Sequence, residues 1–407
     1  MAQASTLATI WLSDSNYVHP LFDWRVDKIY KLTVDTMAKN IVICIDGTGN
    51  EFGNTNSNVV KLFSTLRFDD CSQIAYYHPG LGTMGAPNAL SKFGQWVTKV
   101  AGQAFGFGLS GILTDTYTFL MENFEAGDKI YLFGFSRGAY SCRALAAMLH
   151  MFGLVRRGNE PLIPYVLRMF KAKQKDFPLA AQFKTSFSRE CKVHFVGLWD
   201  TVSSVGWVYN PVSLPFTFAN PDIRIGRHAV SIDERRCAFR QNLWSAKTIE
   251  GQDIKQLWFP GVHSDIGGGY AEAESGLAKL TLEWMLEEAE KADLQIDLHK
   301  KSQILGYTSS SCAKPDPGSQ LHNSLKGPWR LLELMPRKHK DMQTNPPITR
   351  WEIPLSKPRK ILQDAEFHVS TFARMKTLPE YRPSNVISIR PNWQSATQTH
   401  EPPVALV

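Results

Sequence analysis

A serine between two glycines has the spacing of a reactive site. Residues 134–138 read Gly-Phe-Ser-Arg-Gly, so Ser136 stands in the G-x-S-x-G pattern of a nucleophile elbow, a strained turn between a strand and a helix. Because a serine hydroxyl is a weak nucleophile at neutral pH, this chemistry requires a neighbouring base. The simpler alternative is a serine that only caps a helix at a tight turn.

The residues on both sides of Ser136 favour the reactive turn. The run before it, 129–133, is β-branched and aromatic like a buried strand, and the run after it, 141–149, has helical character. A helix that begins just after the serine directs its first N–H groups towards the reacting centre. The sequence therefore predicts a strand, a sharp turn that holds the serine, and a helix.

Other polar side chains also follow strand-like runs, and parallel strands would bring them to one sheet edge. The chain order Ser136, Asp200, His263 is the order found in α/β hydrolases. In that arrangement His263 takes the serine proton, while Asp200 orients the imidazole and stabilises its charged form. The residues that follow strand-like runs are Asp46 after 40–45, Asp200 after 193–199 and His263 after 255–259.

Acyl transfer also needs fixed hydrogen-bond donors for the oxyanion that forms. The predicted donors are the backbone N–H of Arg137 and one from Gly47 or Thr48. We expect Asp46 and Asp265 to support the site by holding loops through hydrogen bonds. No metal or other cofactor is expected.

Two alternatives for these side chains remain open. His368 is the reserve candidate for the base. Asp46, Asp200, His263 and Asp265 could instead be ligands of a hard metal ion.

The pattern of the remaining elements is that of an α/β protein. We predict an α/β-hydrolase fold, with a mostly parallel sheet, helices on both faces and lid-like insertions. Residues 227–239 are interpreted as a charged helix. Further strands are predicted at 40–45, 73–77, 193–199 and 255–259, and further helices at 58–66, 113–124 and 277–292.

Composition shifts along the chain predict its domain organisation. Residues 1–38 have no clear periodicity and are expected to form an irregular extension. The catalytic domain is predicted to span 39–375, followed by a tail at 376–407. Within that domain we expect insertions near 156–192 and 204–225, and a looser basic part at 300–360.

The composition also bears on location and redox state. Hydrophobic residues make up 43% and charged residues 20% of the chain, which is typical of a folded globular protein. The six cysteines lack Cys-x-x-Cys spacing and are interpreted as buried free thiols. Because there is neither a signal-peptide pattern nor an apolar run long enough for a membrane span, we expect a cytoplasmic location.

Basic residues are concentrated between 326 and 360, where nine Lys or Arg stand against three Asp or Glu in a chain of net charge +7. Such a segment with interleaved apolar residues favours peripheral contact with an anionic membrane, and we expect no nucleic-acid partner. Alternatively, its aliphatic residues are core residues beneath a solvated basic face. The apolar residues are Trp329, Leu331, Leu332, Leu334, Met335 and Trp351, and the basic ones include Arg330, Arg337, Lys338, Lys340, Lys357, Arg359 and Lys360.

Five motifs in order resemble an uncharacterised α/β-hydrolase family that includes the phospholipase effectors of type VI secretion systems. The likeness covers roughly residues 39–295, and its motifs lie at 45–48, 134–139, 199–202, 228–236 and 259–270. The resemblance implies a Ser-Asp-His esterase fold, with hydrolysis of glycerophospholipid acyl esters as the activity of the secreted members. The family's serine falls on Ser136, and its Asp-Thr-Val and His-Ser-Asp motifs fall on Asp200 and His263.

The function predicted from the sequence is therefore that of a serine hydrolase acting on a carboxylic ester, with phospholipid as a candidate substrate. One alternative is a metal-assisted hydrolase that uses the Asp and His loops. Another is a non-catalytic member of the family that acts as a binding module.

Overall fold

The structure is a computed structural model that describes residues 38–47, 53, 55–69, 71–80, 102–172, 176–202, 214–245, 249–341 and 348–392. The chain divides into two units, 1–38 and 39–407, and all described residues except Ala38 belong to the second. The predicted N-terminal extension lies almost wholly outside the described residues. So do residues 393–407 of the predicted tail.

A parallel sheet of seven strands organises the described part of the chain. Its strand order is β11-β8-β7-β6-β3-β1-β2, and every pairing in it is parallel, which confirms the predicted α/β class. The strands are β1 (Asn40–Ile45), β2 (Gln73–His78), β3 (Lys129–Phe135), β4 (Leu154–Val155), β5 (Ser188–Arg189), β6 (Val193–Trp199), β7 (Ile223–Ser231), β8 (Asp253–Phe259), β9 (Arg337–Asp341), β10 (Ile348–Glu352) and β11 (Glu366–Phe367).

Helices cover both faces of this sheet. Ile41 and Ile43 of β1 face a core built with α2, α3, α4 and α5, whereas Val42 and Cys44 face a second core built with α1 and α7. Burial on both faces explains the continuous β-branched run of this strand. The helices are α1 (Asn58–Thr65), α2 (Gly102–Asn123), α3 (Arg137–Phe152), α4 (Ile163–Lys171), α5 (Phe177–Phe187), α6 (His263–Gly267), α7 (Gly276–Glu290), α8 (Leu298–Ile304), α9 (Pro328–Leu332), α10 (Val369–Thr377) and α11 (Ser384–Ile387).

The strand order reverses between β1 and β3. From β1 the chain adds β2 on one side and β3 on the other, so the carboxyl ends of β1 and β3 border a crevice of the kind in which open α/β sheets bind ligands. Asp46 follows β1 and Ser136 follows β3. The topology therefore places the elbow serine beside the first polar loop of the chain.

The predicted charged helix at 227–239 is wrong. Residues Ile223–Ser231 form β7, which lies between β6 and β8, and only Cys237–Phe239 are helical, as one 3₁₀ turn. The charge that suggested an exposed helix is neutralised within the fold, because buried Arg227 bonds Glu288 and Asp253, each at 2.5 Å. These partners are distant in sequence, so local patterning could not show that the charge was compatible with a buried strand.

The two predicted insertions differ in what the structure describes. Residues 156–192 form α4 and α5, whose side chains Phe170 and Phe183 are buried in the core next to α3. Of the second, 204–225, residues 204–213 lie outside the described residues, whereas 214–225 are described. The predicted lid role of both stays a prediction.

The C-terminal part of the chain packs onto the end of the sheet. Helix α10 runs across the predicted domain boundary at 375, and Tyr381 and Val386 beyond it are buried in a third core together with Trp258 of β8. Residues 376–392 are thus in contact with the predicted catalytic domain.

Two further sequence expectations concern the thiols and the membrane. All six cysteines are free, and Cys44, Cys142 and Cys191 are buried as expected, whereas Cys71 is exposed. No helix among the described residues combines the length and the apolar character needed to cross a bilayer.

Candidate active site

Ser136 occupies a sharp turn between β3 and α3. Its backbone has φ 59° and ψ −118°, and a positive φ is uncommon for a residue with a side chain. The turn is tight, since a Cβ at Gly134 would lie 2.7 Å from the Ala139 nitrogen and one at Gly138 would lie 2.2 Å from the Ile45 carbonyl oxygen. The two glycines of the motif are therefore required by close backbone packing.

Ser136, His263 and Asp200 form one hydrogen-bonded chain at the carboxyl edge of the sheet. The Oγ of Ser136 lies 2.8 Å from Nε2 of His263, and Nδ1 of His263 lies 2.6 Å from Oδ2 of Asp200. All three residues are buried. Because an ionised carboxylate only accepts hydrogen bonds, Nδ1 of a neutral His263 carries the proton and its Nε2 is left to accept from the serine.

Arg359 binds both oxygens of the same carboxylate. Its Nη1 donates to Oδ1 of Asp200 at 2.5 Å and its Nη2 to Oδ2 at 2.9 Å, while the Ser231 N–H donates to Oδ1 at 3.0 Å. Burial alone would raise the pKa of Asp200, but the charge of Arg359 and the hydrogen bond from His263 hold it well below its usual range. Asp200 therefore carries a negative charge shared between an arginine and a histidine.

His263 is enclosed by two aromatic rings and by the ion pair of Glu234 with Arg236. The rings of Phe135 and Phe239 lie 4.6 and 4.8 Å from the imidazole, and Glu234 accepts the His263 backbone N–H at 3.2 Å. Burial lowers the pKa of His263 below its ordinary value, against the opposing effect of Asp200. The imidazole is accordingly held in the neutral form that can accept a proton.

A second histidine fixes the turn that follows Asp200. Nε2 of His228 accepts the N–H of Thr201 at 3.1 Å, and Nδ1 donates to Oε1 of Gln256 at 2.9 Å, which defines one neutral tautomer. Burial and the nearby charge of Arg143 lower the pKa of His228 to about 3. His228 thus supports Asp200, whose own φ is positive at 40°.

The three predicted oxyanion donors, Arg137, Gly47 and Thr48, differ in their position and in what the structure shows of their N–H groups. Arg137 is the first residue of α3 and directly follows Ser136. Gly47 lies next to the elbow because Gly138 packs on the Ile45 and Asp46 carbonyls, but its N–H donates to Oδ1 of Asp46 at 2.6 Å. Thr48 lies outside the described residues. Their role as donors remains a prediction.

Asp46 and Asp265 each accept several hydrogen bonds from neighbouring segments. Oδ2 of Asp46 accepts from Ser57 at 2.5 Å and from Tyr77 at 2.9 Å. Asp265 accepts the Val262 N–H at 3.0 Å and contacts Nδ1 of His322 at 2.6 Å. Their role as supports of the site remains a prediction.

The two alternatives from the sequence, His368 as the base and a site for a hard metal ion, find less support in the geometry. His368 caps α10, bonds Ser370 at 2.8 Å and stacks on Phe259, so it is engaged away from Ser136. Among the described residues, no group of three or more His, Cys, Asp or Glu side chains has an arrangement that could hold a metal ion.

Sequence reasoning missed several residues that complete this arrangement. Glu234 and His228 lie within a motif that was recognised, but their roles depend on contacts that no local pattern shows. Arg359 was grouped with the exposed basic residues of 326–360, whereas it is buried against Asp200. No sequence signal marks the partner of an ion pair that spans 159 residues.

Comparison with known proteins adds a family and several relatives. A family model described as "T6SS, Phospholipase effector Tle1-like, catalytic domain" matches residues 39–288, more than half of the chain. The uncharacterized protein YEL023C of Saccharomyces cerevisiae is 38% identical over 222 residues, which are 50% of this chain and 32% of that protein.

Two solved structures are similar at lower identity. A crystal structure of an uncharacterized protein from Pseudomonas aeruginosa has 18% identity and a TM-score of 0.39, with 70% of this chain and 50% of that chain covered. The structure of the Tle1 effector bound to the VgrG spike from the Type 6 secretion system has 21% identity and a TM-score of 0.32, with 59% and 53% covered. The chain thus spans about a third of the yeast protein and about half of each solved chain.

Proposed function

This chain belongs to the T6SS phospholipase effector Tle1-like catalytic domain family, and we propose that it is a serine hydrolase that cleaves carboxylic esters. The observation that carries the proposal is the continuous hydrogen-bonded chain from Ser136 through His263 to Asp200, with distances of 2.8 and 2.6 Å. Such a chain supplies the base that a serine nucleophile requires.

In the proposed reaction, the Oγ of Ser136 attacks the ester carbonyl as Nε2 of His263 removes its proton. Asp200 keeps the other imidazole proton on Nδ1 and stabilises the imidazolium. The imidazolium then protonates the departing alcohol, and the acyl group stays on Ser136. A water molecule deprotonated by His263 releases the acid and restores the serine.

The oxyanion formed in both steps needs donors beside Ser136. The Arg137 N–H at the start of α3 is favoured by its position, because helix-terminal N–H groups carry partial positive charge. Gly47 is the second donor, and to serve it must turn its N–H from the Asp46 carboxylate towards the oxyanion. Asp46 would therefore act as the acceptor that holds the Gly47 N–H between turnovers.

The proposed substrate class is glycerophospholipid acyl esters, in keeping with the phospholipase named in the family description. Apolar side chains border the candidate site on one side. Trp329 packs its ring 5.3 Å from Phe239, whose ring in turn lies 4.8 Å from His263. The Arg236 guanidinium lies over both rings, 3.7 Å from the centre of the Phe239 ring and 5.2 Å from that of Trp329, so an acyl chain on this side would contact the remaining ring surface.

We extend the proposal to peripheral contact with an anionic membrane. Leu331, Leu334, Met335 and Leu355 expose large apolar side chains, and we call this group the apolar rim. The Leu355 N–H donates to the Glu333 carbonyl, which places the segments around 333 and 355 side by side. The sequence alternative that Leu331, Leu332, Leu334 and Met335 are core residues is wrong for all of these except Leu332, which is half-buried.

Basic residues accompany the rim, as adsorption to anionic lipid would require. Hairpin pairing puts Lys338 opposite Trp351, which is itself exposed, and Arg330 lies next to Leu331. Each basic residue near an anionic surface contributes about 1 kcal/mol at low ionic strength. Arg359 does not take part, since it is buried against Asp200.

Labelling with a fluorophosphonate probe tests the proposal directly. The wild-type protein should be labelled at Ser136 and should hydrolyse p-nitrophenyl esters or phospholipids. Ser136→Ala should abolish labelling and lower kcat by about three orders of magnitude or more, because the attacking oxygen is lost. Ser141→Ala, a buried serine on α3, is the matched control and should retain both properties.

The same experiment separates the two alternatives. A metal-assisted hydrolase would lose turnover after exhaustive chelation and keep it in Ser136→Ala. A binding module would show neither labelling nor turnover. Undiminished hydrolysis by well-folded Ser136→Ala protein would therefore overturn the serine mechanism.

A further inference from the structure

An arginine and a histidine share one buried carboxylate at the candidate site. Asp200 accepts from Nδ1 of His263 on one side and from both terminal nitrogens of Arg359 on the other. The side chains of all three are at most 5% exposed. A bidentate arginine contact of this kind is strong and fixes the plane of the carboxylate.

Arg359 is itself held in place by the elements around the site. Nη1 also donates to the Ser231 carbonyl at the end of β7, and Nη2 donates to the Phe239 carbonyl at 2.5 Å. Phe239 in turn packs edge-on against the imidazole of His263. The guanidinium therefore ties Asp200 to two segments that border the base.

We propose that Arg359 is a positioning residue that orients Asp200 and limits the charge this carboxylate presents to His263. The inference rests on the proposed serine hydrolase function. It extends beyond the family-matched region, which ends at residue 288. In consequence, the C-terminal part of the chain supplies a required component of the site.

The expected effect on His263 follows from electrostatics. A positive charge on Arg359 partly neutralises Asp200, so Asp200 stabilises the imidazolium less than an unshared carboxylate would. With Arg359 removed, the imidazolium becomes the main counter-charge of Asp200 and its pKa must rise. Since neutral His263 is the active base, the acid limb of the pH–activity profile must then move to higher pH.

Other charged groups around His263 raise or lower its pKa, and none of them is changed when Arg359 is replaced. Arg236 lowers and Glu234 raises the pKa of His263, and the two form an ion pair with each other at 2.8 Å. On the side of Asp200, His228 is held neutral by its two hydrogen bonds. Arg359 is thus the charge whose removal changes the balance on the Asp200 carboxylate.

Arg359→Gln and Arg359→Lys separate charge from geometry. Arg374→Gln is the matched control, because Arg374 is also buried, lies in the same part of the chain and bonds backbone carbonyls of Pro317 and Ser319 instead of Asp200. Two quantities are measured for each folded variant: the imidazole pKa of His263 by NMR titration of labelled histidine, and the pH dependence of the fluorophosphonate labelling rate.

Arg359→Gln should raise the pKa of His263 and the acid limb by about one pH unit or more. Arg359→Lys should keep both within about half a unit, since a charge remains, yet lower the plateau labelling rate about tenfold because the bidentate contact is lost. Arg374→Gln should leave the pKa and the plateau unchanged.

Three results would overturn the proposal. The first is an unshifted His263 pKa in folded Arg359→Gln protein, and the second is an equal shift in Arg359→Lys. The third, which applies even if Arg359→Gln does not fold, is an unchanged plateau rate in Arg359→Lys. The NMR titration needs no turnover, so it tests the Arg359–Asp200–His263 coupling even if Ser136→Ala shows that the proposed function is wrong.

Discussion

The sheet region, residues 39–290, and the C-terminal region, residues 298–392, contribute to the same site by different means. The sheet region places Ser136, Asp200 and His263 at the ends of parallel strands, where the fold itself brings them together. The C-terminal region adds side chains that bond to those residues or their neighbours: Arg359 to Asp200, His322 to Asp265, Ser324 to Glu234 and Trp329 to Phe239.

The two regions therefore differ in the role expected of their side chains. Strand ends in a parallel sheet offer positions at which reactive groups converge irrespective of the rest of the chain. The C-terminal side chains contact groups that the strand ends already bring together. Changes in the sheet region should therefore remove activity, whereas changes in the C-terminal region should shift it.

The two candidate bases provide the sharpest test of that division. His263→Ala should lower kcat by about three orders of magnitude, because it removes the group proposed to accept the serine proton. His368→Ala should change kcat by less than about tenfold, since His368 caps α10 and stacks on Phe259. Steady-state kinetics on a p-nitrophenyl ester measure both.

A double variant of Ser136 and His263 checks that the two act as one unit. Its kcat should be close to that of either single variant, because effects within one hydrogen-bonded unit are far from additive. If His368→Ala were the crippling change, the base would lie in the C-terminal region and the comparison would be reversed.

The predictions from sequence succeeded mainly in the sheet region. The runs at 40–45 and 193–199 are continuous and apolar, and they became strands because burial on both faces selects that pattern. The tight turn at Ser136 was visible because the glycines that close backbone packing requires stand two residues before and two residues after the serine. These patterns can be read from residues close in sequence.

The errors came from interactions between distant residues. Residues 227–239 were predicted as a charged helix because the Arg227–Glu288 pair is not visible locally. Arg359 was assigned to an exposed basic surface for the same reason. Charge in a sequence indicates exposure only until a buried partner is known, and such a partner can lie anywhere along the chain.

The Asp265–His322 contact predicts an effect of intermediate size on stability. Buried Asp265 bonds His322 at 2.6 Å, and the imidazole stacks on Tyr270 with ring centroids 3.6 Å apart. His322→Ala leaves this carboxylate without one of its partners and should lower the free energy of unfolding by about 1–3 kcal/mol. Urea denaturation measures this change, and kcat of the folded variant should fall less than about tenfold.

His299→Ala is the control for this change, because the exposed His299 side chain lies on α8 and bonds Gln303 of the same helix. It should alter the free energy of unfolding by no more than about 0.5 kcal/mol. If the free energy of unfolding falls no more in His322→Ala than in His299→Ala, the His322 contact does not stabilise α6, the helix that carries His263 and Asp265.

The smallest expected effect concerns the apolar rim, whose substitution should change membrane binding and leave the proposed chemistry intact. Leu331 and Leu334 are 69% and 60% exposed, so their replacement by serine removes apolar surface without opening the core. Leu331→Ser/Leu334→Ser should weaken co-sedimentation with vesicles of phosphatidylglycerol and phosphatidylcholine by about three- to tenfold. Hydrolysis of a soluble ester should be unchanged, since neither residue contacts Ser136, His263 or Asp200.

Leu298→Ser is the matched control, because Leu298 is also 69% exposed but lies on α8, away from the rim in sequence. Wild-type binding should increase with phosphatidylglycerol content and decrease in high salt, and it should weaken when Arg337, Lys338 and Lys340 are changed together to Gln. Equal binding by all variants, or no binding to anionic vesicles at any salt concentration, would contradict the membrane proposal. The contacts of the C-terminal region with Asp200 and with α6, the helix that begins at His263, would then be its remaining contribution to the site.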